Sequence, residues 1–124
     1  MKKILIIEDD VRLRKIYETM LTLDGYEVVM VSTGAEGIAK ATSGLPNLIV
    51  LDIMLPGGMN GFDVLEQLKR NPTTQQIPVI VLTNLDNARS TVDSIGAVEY
   101  IVKTNTSIDD VVKKIKGYLQ DGAS

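Results

Sequence analysis

The architecture this sequence predicts is α/β, a doubly wound (βα)5 sandwich around a five-stranded parallel sheet. Three observations carry that expectation. Five short apolar runs alternate along the chain with longer segments of helical period. The run Leu48-Ile49-Val50-Leu51 shows no polar alternation, as a central strand covered on both faces requires. Glycines stand where helices should stop, at Gly25, Gly44 and Gly96.

The first strand is expected at Ile4 to Ile7. A helix follows with Asp10 as N-cap and apolar positions at Leu13, Ile16, Tyr17, Met20 and Leu23, closing at Gly25. Tyr26 to Val31 reads as the second strand. Thr33-Gly34-Ala35-Glu36 has the spacing of a capping box and opens a second helix that ends near Gly44-Leu45-Pro46.

After the third strand, a glycine-bearing loop leads to Asn60-Gly61-Phe62-Asp63, which caps a third helix with Val64, Leu65 and Leu68 inward. Pro78 precedes the fourth strand, Val79 to Leu82. The segment around Ser90-Thr91-Val92-Asp93-Ser94 is rich in poor helix formers and predicts a fourth helix of low propensity, stopping at Gly96. Val98 to Val102 is the fifth strand, and Ser107-Ile108-Asp109-Asp110 opens a last helix running through Leu119. Residues 120–124 read as a frayed tail.

A length of 124 residues, 44% hydrophobic and 23% charged, fits one globular domain with one core. The chain has no cysteine and no histidine, which removes disulfides, thiolate chemistry and the commonest general base and transition-metal ligand. Chemistry must therefore rest on carboxylates, Lys, Arg, hydroxyls and the backbone. The run behind Met1-Lys2-Lys3 is too short for a secretion signal, and no segment approaches the ~20 apolar residues of a membrane span. A cytoplasmic location is expected. A net charge of −3, with no basic stripe, argues against direct nucleic-acid binding.

In doubly wound sheets, ligands bind outside the carboxyl ends of the strands. Those ends carry Glu8-Asp9-Asp10, Ser32-Thr33, Asp52, Thr83-Asn84 and Lys103. Taken singly, each has an ordinary explanation: an Asp after a strand is most often a turn former or N-cap, and a Lys there a solvated charge. Together they converge on one rim. Crowded carboxylates call for a cation. Magnesium suits oxygen ligands and completes its shell with water and phosphate oxygens. Lys103 and Thr83 supply a point charge and a hydroxyl for a phosphoryl group. Asp52, at the mouth of the core, is the candidate nucleophile, since a carboxylate can form an aspartyl phosphate.

With Glu8-Asp9-Asp10, Leu51-Asp52-Ile53-Met54-Leu55-Pro56, Asn60-Gly61, Leu82-Thr83, and Gly96-Ala97 leading to Tyr100-Ile101-Val102-Lys103, the sequence resembles the receiver domain of two-component response regulators over essentially its whole length. The resemblance implies a flavodoxin-like sheet of order 2-1-3-4-5 and a single receiver domain over residues 1–124. It implies that Asp52 is the phosphoacceptor, and that Mg²⁺ is held by Asp9, Asp52, the Met54 carbonyl and, through water, Glu8. Thr83, the Asn84 backbone N–H and Lys103 would bind the phosphoryl oxygens. Tyr100 would change rotamer as Thr83 moves, and Met54 and Asn84 would flank the approach of hydrolytic water. The implied partners are a sensor histidine kinase or histidine phosphotransfer protein, and a downstream protein target or an output domain. The fourth helix, fifth strand and fifth helix would form the output surface.

Four departures from the family pattern stand out. Thr104 replaces the proline usual after the lysine. The loop at 56–61 is one residue longer, with an extra glycine. The stretch from Thr83 to Lys103 is about two residues shorter, and Asn84 stands where a small residue is common.

Other classes fit less well. A phosphate-independent receiver, acting as a binding module, usually lacks the acceptor, an acidic partner or the lysine, and all are present here. A magnesium-dependent aspartyl phosphatase wants a second Asp where Met54 stands. A flavodoxin wants a phosphate loop where Glu8-Asp9-Asp10 would repel one. The chain is thus expected to be a signalling phosphoacceptor, with self-phosphorylation and autodephosphorylation chemistry only, and not an enzyme.

Overall fold

The computed structural model describes residues 1–120; of the expected tail at 120–124, residues 121–124 lie outside them. Five parallel strands, β1 (Lys3–Ile7), β2 (Glu27–Val31), β3 (Leu48–Leu51), β4 (Val79–Thr83) and β5 (Glu99–Val102), form one sheet. Their order is β2-β1-β3-β4-β5. The helices are α1 (Val11–Leu23), α2 (Gly34–Gly44), α3 (Gly61–Arg70), α4 (Arg89–Ile95) and α5 (Ile108–Leu119), with a short 3₁₀ turn over Lys103–Asn105 before α5.

Both faces of the sheet are covered, and the period-two alternation of strands divides the side chains between them. Leu5, Ile7, Ile49, Leu51, Val79 and Val81 pack with Val64, Leu65, Leu68 and Val92 of α3 and α4. Ile4, Ile6, Leu48, Val50, Ile80 and Leu82 pack with Tyr17 and Leu21 of α1 and Val111, Ile115 and Leu119 of α5. This explains why the inner strands read as unbroken apolar runs.

The caps follow the sequence closely. The Asp10 carboxylate accepts from the Arg12 and Leu13 N–H groups, and Asn60 and Asp63 form a reciprocal capping box. At α2 the Glu36 N–H donates to the Thr33 hydroxyl, and the Glu36 carboxylate accepts from Ser32 and the Thr33 hydroxyl. Helix α1 closes with Gly25 at φ +93°, where the Gly25 N–H reaches the Thr22 carbonyl and the Tyr26 N–H the Leu21 carbonyl.

Four strand edges differ from the expected ones by a residue: β1 starts at Lys3 and β4 runs on to Thr83, each one residue longer, while β2 and β5 each start one residue later. Because the Tyr26 N–H closes α1, β2 begins at Glu27 and not at Tyr26. The β4–β5 ladder starts at Ile80 opposite Glu99, which leaves Val98, 44% exposed, outside β5. Helix α4 exists as predicted but spans only 7 residues and has no side-chain N-cap bond at Ala88. The 3₁₀ turn at Lys103–Asn105 was not foreseen; Thr104, in the usual position of proline, sits inside it.

Candidate functional site

Parallel register sets the rim. Ile7 pairs with Leu51, and the Asp52 N–H reaches the Ile7 carbonyl at 3.0 Å, so Glu8 and Asp52 leave the sheet side by side. On the other flank Thr83 pairs with Val102, which brings Lys103 out beside the end of β4. The residues that end β1, β3 and β5 thereby meet.

Their side chains touch. Lys103 Nζ donates to Asp52 Oδ2 at 2.8 Å and lies 2.6 Å from Glu8 Oε1. These side chains are 13%, 5% and 4% exposed, so the ammonium spans two carboxylates almost out of water. Carboxylate oxygens of Glu8, Asp9 and Asp52 all lie within 4.8 Å of one another, an arrangement able to hold a metal ion. The Asp10 N–H donates to Glu8 Oε2 and the Met54 N–H to Asp52 Oδ1.

One cation shared between two buried acids leaves its mark on the ionisation of the site. Burial lifts the Glu8 pKa above the ordinary carboxylate value; the Lys103 and Asp10 hydrogen bonds oppose that rise without cancelling it. Burial alone would lower the Lys103 pKa, but its hydrogen bonds to Asp52 and Glu8 outweigh burial and the pKa is raised. Lys103 therefore stays charged, while the acidic side of the site remains short of positive charge. A divalent cation with a preference for oxygen fits that deficit and that donor set.

The other predicted residues lie around this centre. Thr83 is fully buried, and its hydroxyl oxygen accepts from the Leu85 N–H at 3.3 Å. Asn84 is exposed beside it, and Met54 is 58% exposed on the opposite lip. Tyr100 is 4% exposed, buried in the core. Its hydroxyl donates to the Leu85 carbonyl and accepts from the Ala88 N–H. A hydrogen-bonded chain thus runs from Thr83 through Leu85 to Tyr100.

Sequence reasoning missed several features of the site. Lys103 was assigned to phosphate, not to Glu8. Leu85 and Ala88 act through backbone groups, which no side-chain pattern reports. Gly61 lies so close to the acceptor strand that an added Cβ would sit 2.4 Å from the Asp52 carbonyl oxygen; the only signal was the Asn60-Gly61 pair itself.

The bond to Ala88 gives a direct prediction. In Tyr100→Phe the Ala88 N–H, at a residue 3% exposed, loses its acceptor. Stability is expected to fall by about 1–2 kcal/mol in urea titrations, with amide exchange of α4 accelerated most. Unchanged exchange in α4 would show that Tyr100 does not support it.

The fold and this rim define the class of protein. A flavodoxin-like sheet of this order, with clustered carboxylates and a lysine at its carboxyl edge, is the framework of receiver domains. The family model described as "Response regulator receiver domain" matches residues 4–116, and the chain belongs to that family.

Among curated relatives, the response regulator PleD of Caulobacter vibrioides is 38% identical over 112 residues, which is 89% of this chain and 24% of PleD. The chain thus spans about a quarter of that relative. A CheY-like receiver domain protein of Methanospirillum hungatei superposes with a TM-score of 0.86 at 32% identity, over 96% of this chain and 94% of that one. The response regulator TrrA of Thermotoga maritima, solved in complex with Mg²⁺-BeF, gives 0.81 at 31% identity, over 95% and 99%. No helix among the described residues is long and apolar enough to cross a membrane.

Proposed function

We propose that the chain is a phosphorylatable receiver whose acceptor is Asp52. The observation that carries this reading is the Lys103 ammonium lying between Glu8 and Asp52, with Asp9 beside them. In the reaction an Asp52 carboxylate oxygen attacks the phosphorus of a phosphohistidine, or of a small acyl phosphate. The bond from phosphorus to the donor nitrogen or oxygen breaks, and its electron pair leaves with the donor. Phosphoryl transfer of this kind needs positioning and neutralisation of the equatorial oxygens more than covalent help.

Mg²⁺ held by Asp9, Asp52, the Met54 carbonyl and, through water, Glu8 would supply part of that neutralisation. The chain's own groups supply the rest. Lys103, already on Asp52 Oδ2, is placed to follow a phosphoryl oxygen, and the Thr83 hydroxyl and Asn84 N–H lie at the end of the neighbouring strand. Met54 and Asn84, exposed on the two lips, would govern the access of hydrolytic water and so the lifetime of the aspartyl phosphate.

The donor would be a sensor histidine kinase or a histidine phosphotransfer protein. The output would go to a protein target or to an output domain, without direct nucleic-acid contact by this domain, in the cytoplasm. The chain would be a signalling phosphoacceptor and not a turnover enzyme.

Adding Mg²⁺ and beryllofluoride, a phosphoryl mimic, is expected to shift the backbone amides of Asp52, Met54, Thr83 and Asn84 in an ¹H–¹⁵N spectrum, and Asp52→Ala to abolish the shifts. An unchanged wild-type spectrum at saturating Mg²⁺ and beryllofluoride would count against the reading.

A further inference from the structure

The amino end of the sheet, opposite the acidic rim, carries a pocket of about 140 Å³ beside the C-terminal half of α2. Its apolar lining is Leu5 of β1 and Val29 of β2, register partners that both pack on the α2 side of the sheet. Lys40, Ser43 and Gly44 line it from α2, at the i, i+3, i+4 spacing that puts three residues on one helix face. Leu45, in the left-handed region at φ +45°, turns the chain off the helix just before Pro46, which completes the wall.

Two ammonium groups line the same pocket. Lys3 Nζ donates to the Gly44 carbonyl at 3.2 Å, which holds it at the end of α2 and offsets a helix carbonyl that would otherwise repel an anion. Lys40 is exposed and, among the described residues, has no hydrogen bond or ion pair. Ser43 adds a hydroxyl. One acid opposes them: Glu27, exposed, stands opposite Lys3 in the β1–β2 ladder.

The pocket is therefore apolar where the sheet lines it and cationic where α2 and the start of β1 line it. A space near 140 Å³ accommodates a ring the size of benzene or a short alkyl chain. We propose that it binds a small monocarboxylate with an apolar body, an arylacetate or short-chain fatty acid, with the carboxylate taken by Lys40 and Lys3 and the hydrocarbon laid on Leu5 and Val29. A neutral ligand of the same shape would leave the two ammonium groups without a counter-charge, and a phosphate or other small inorganic anion would leave the apolar lining unused. None of these residues belongs to the Asp52 rim, so the site does not rest on the receiver reading.

Phenylacetate titrated into the full chain, followed in ¹H–¹⁵N spectra, is the test, with phenylacetamide as its neutral counterpart. Saturable shifts are expected at Leu5, Val29, Ser43 and Gly44, half complete at about 1 mM, with the Asp52 amide unmoved. Phenylacetamide should bind about fivefold more weakly, and Lys40→Gln should weaken phenylacetate about three- to tenfold. Glu27→Gln, which removes the opposing acid, should tighten it about twofold. Lys40 and Glu27 are both exposed, so both variants are expected to fold as wild type does.

Shifts that stay linear to about 20 mM, or that fall at the acidic rim and not at this pocket, would overturn the proposal. So would equal binding of phenylacetate and phenylacetamide, or a Lys40→Gln affinity equal to that of wild type.

Discussion

Replacing Lys103 with alanine is expected to destabilise the metal-free protein by about 2–4 kcal/mol, and most of that loss should return on adding Mg²⁺. The ammonium bonds both Glu8 and Asp52, and all three side chains are nearly out of water. Removing it leaves two buried carboxylates facing each other with Asp9 nearby. A buried charge stripped of its partner costs several kcal/mol; the partial exposure of Lys103 places the estimate at the lower end. A divalent cation seated among the same oxygens would replace the lost charge.

Chemical denaturation of wild type and Lys103→Ala, with chelator and with excess Mg²⁺, measures both halves of the prediction. A variant as stable as wild type in chelator would contradict the shared-cation account. The same variant should bind the metal yet transmit the switch poorly, because no side chain remains to follow the phosphoryl oxygen.

Gly61→Ala is expected to cost about 3 kcal/mol, near the upper end for forcing one extra methyl into a packed site. The added Cβ would lie 2.4 Å from the Asp52 carbonyl oxygen, 2.4 Å from the Ile53 Cα and 3.0 Å from the Asp52 carbonyl carbon. Those atoms belong to backbone and cannot rotate away. The Gly61 N–H also bonds the Ile53 carbonyl at 2.8 Å, so the start of α3 is clamped onto the acceptor segment.

Relieving the clash means moving either α3 or Asp52, and phosphoryl acceptance should fall along with stability. Gly58, where an added Cβ would meet nothing within 4 Å, is the internal control. Gly58→Ala is expected to leave stability within about 0.5 kcal/mol of wild type. Equal melting curves for the two variants would refute the packing argument.

The fold was legible because burial on both faces writes itself into composition. Leu48–Leu51 could only be a central strand, and the caps at Asp10 and Asn60 announced their helices through residue type alone. Boundaries were less legible at Tyr26, whose N–H closes α1, and at Val98, which lies outside β5 although its N–H bonds the Val79 carbonyl.

The acidic site was legible for a simpler reason: strand ends in a parallel sheet must share a rim, so Glu8, Asp9, Asp52 and Lys103 could be assembled from their positions alone. Partner choice within the rim could not. That Lys103 would divide itself between Glu8 and Asp52 depends on ångström-scale register, and that Tyr100 would lock onto Leu85 and Ala88 depends on the path of a loop that contributes backbone groups to the bond.

The central claim is that Asp52 accepts a phosphoryl group. Intact mass measurement after incubation with Mg²⁺ and acetyl phosphate tests it most directly. Wild type is expected to gain the mass of one phosphoryl group, Asp52→Ala none, and chelation of the metal to suppress the gain. A wild-type mass unchanged with acetyl phosphate and with other small phosphodonors, or a gain that persists in Asp52→Ala, would contradict the account.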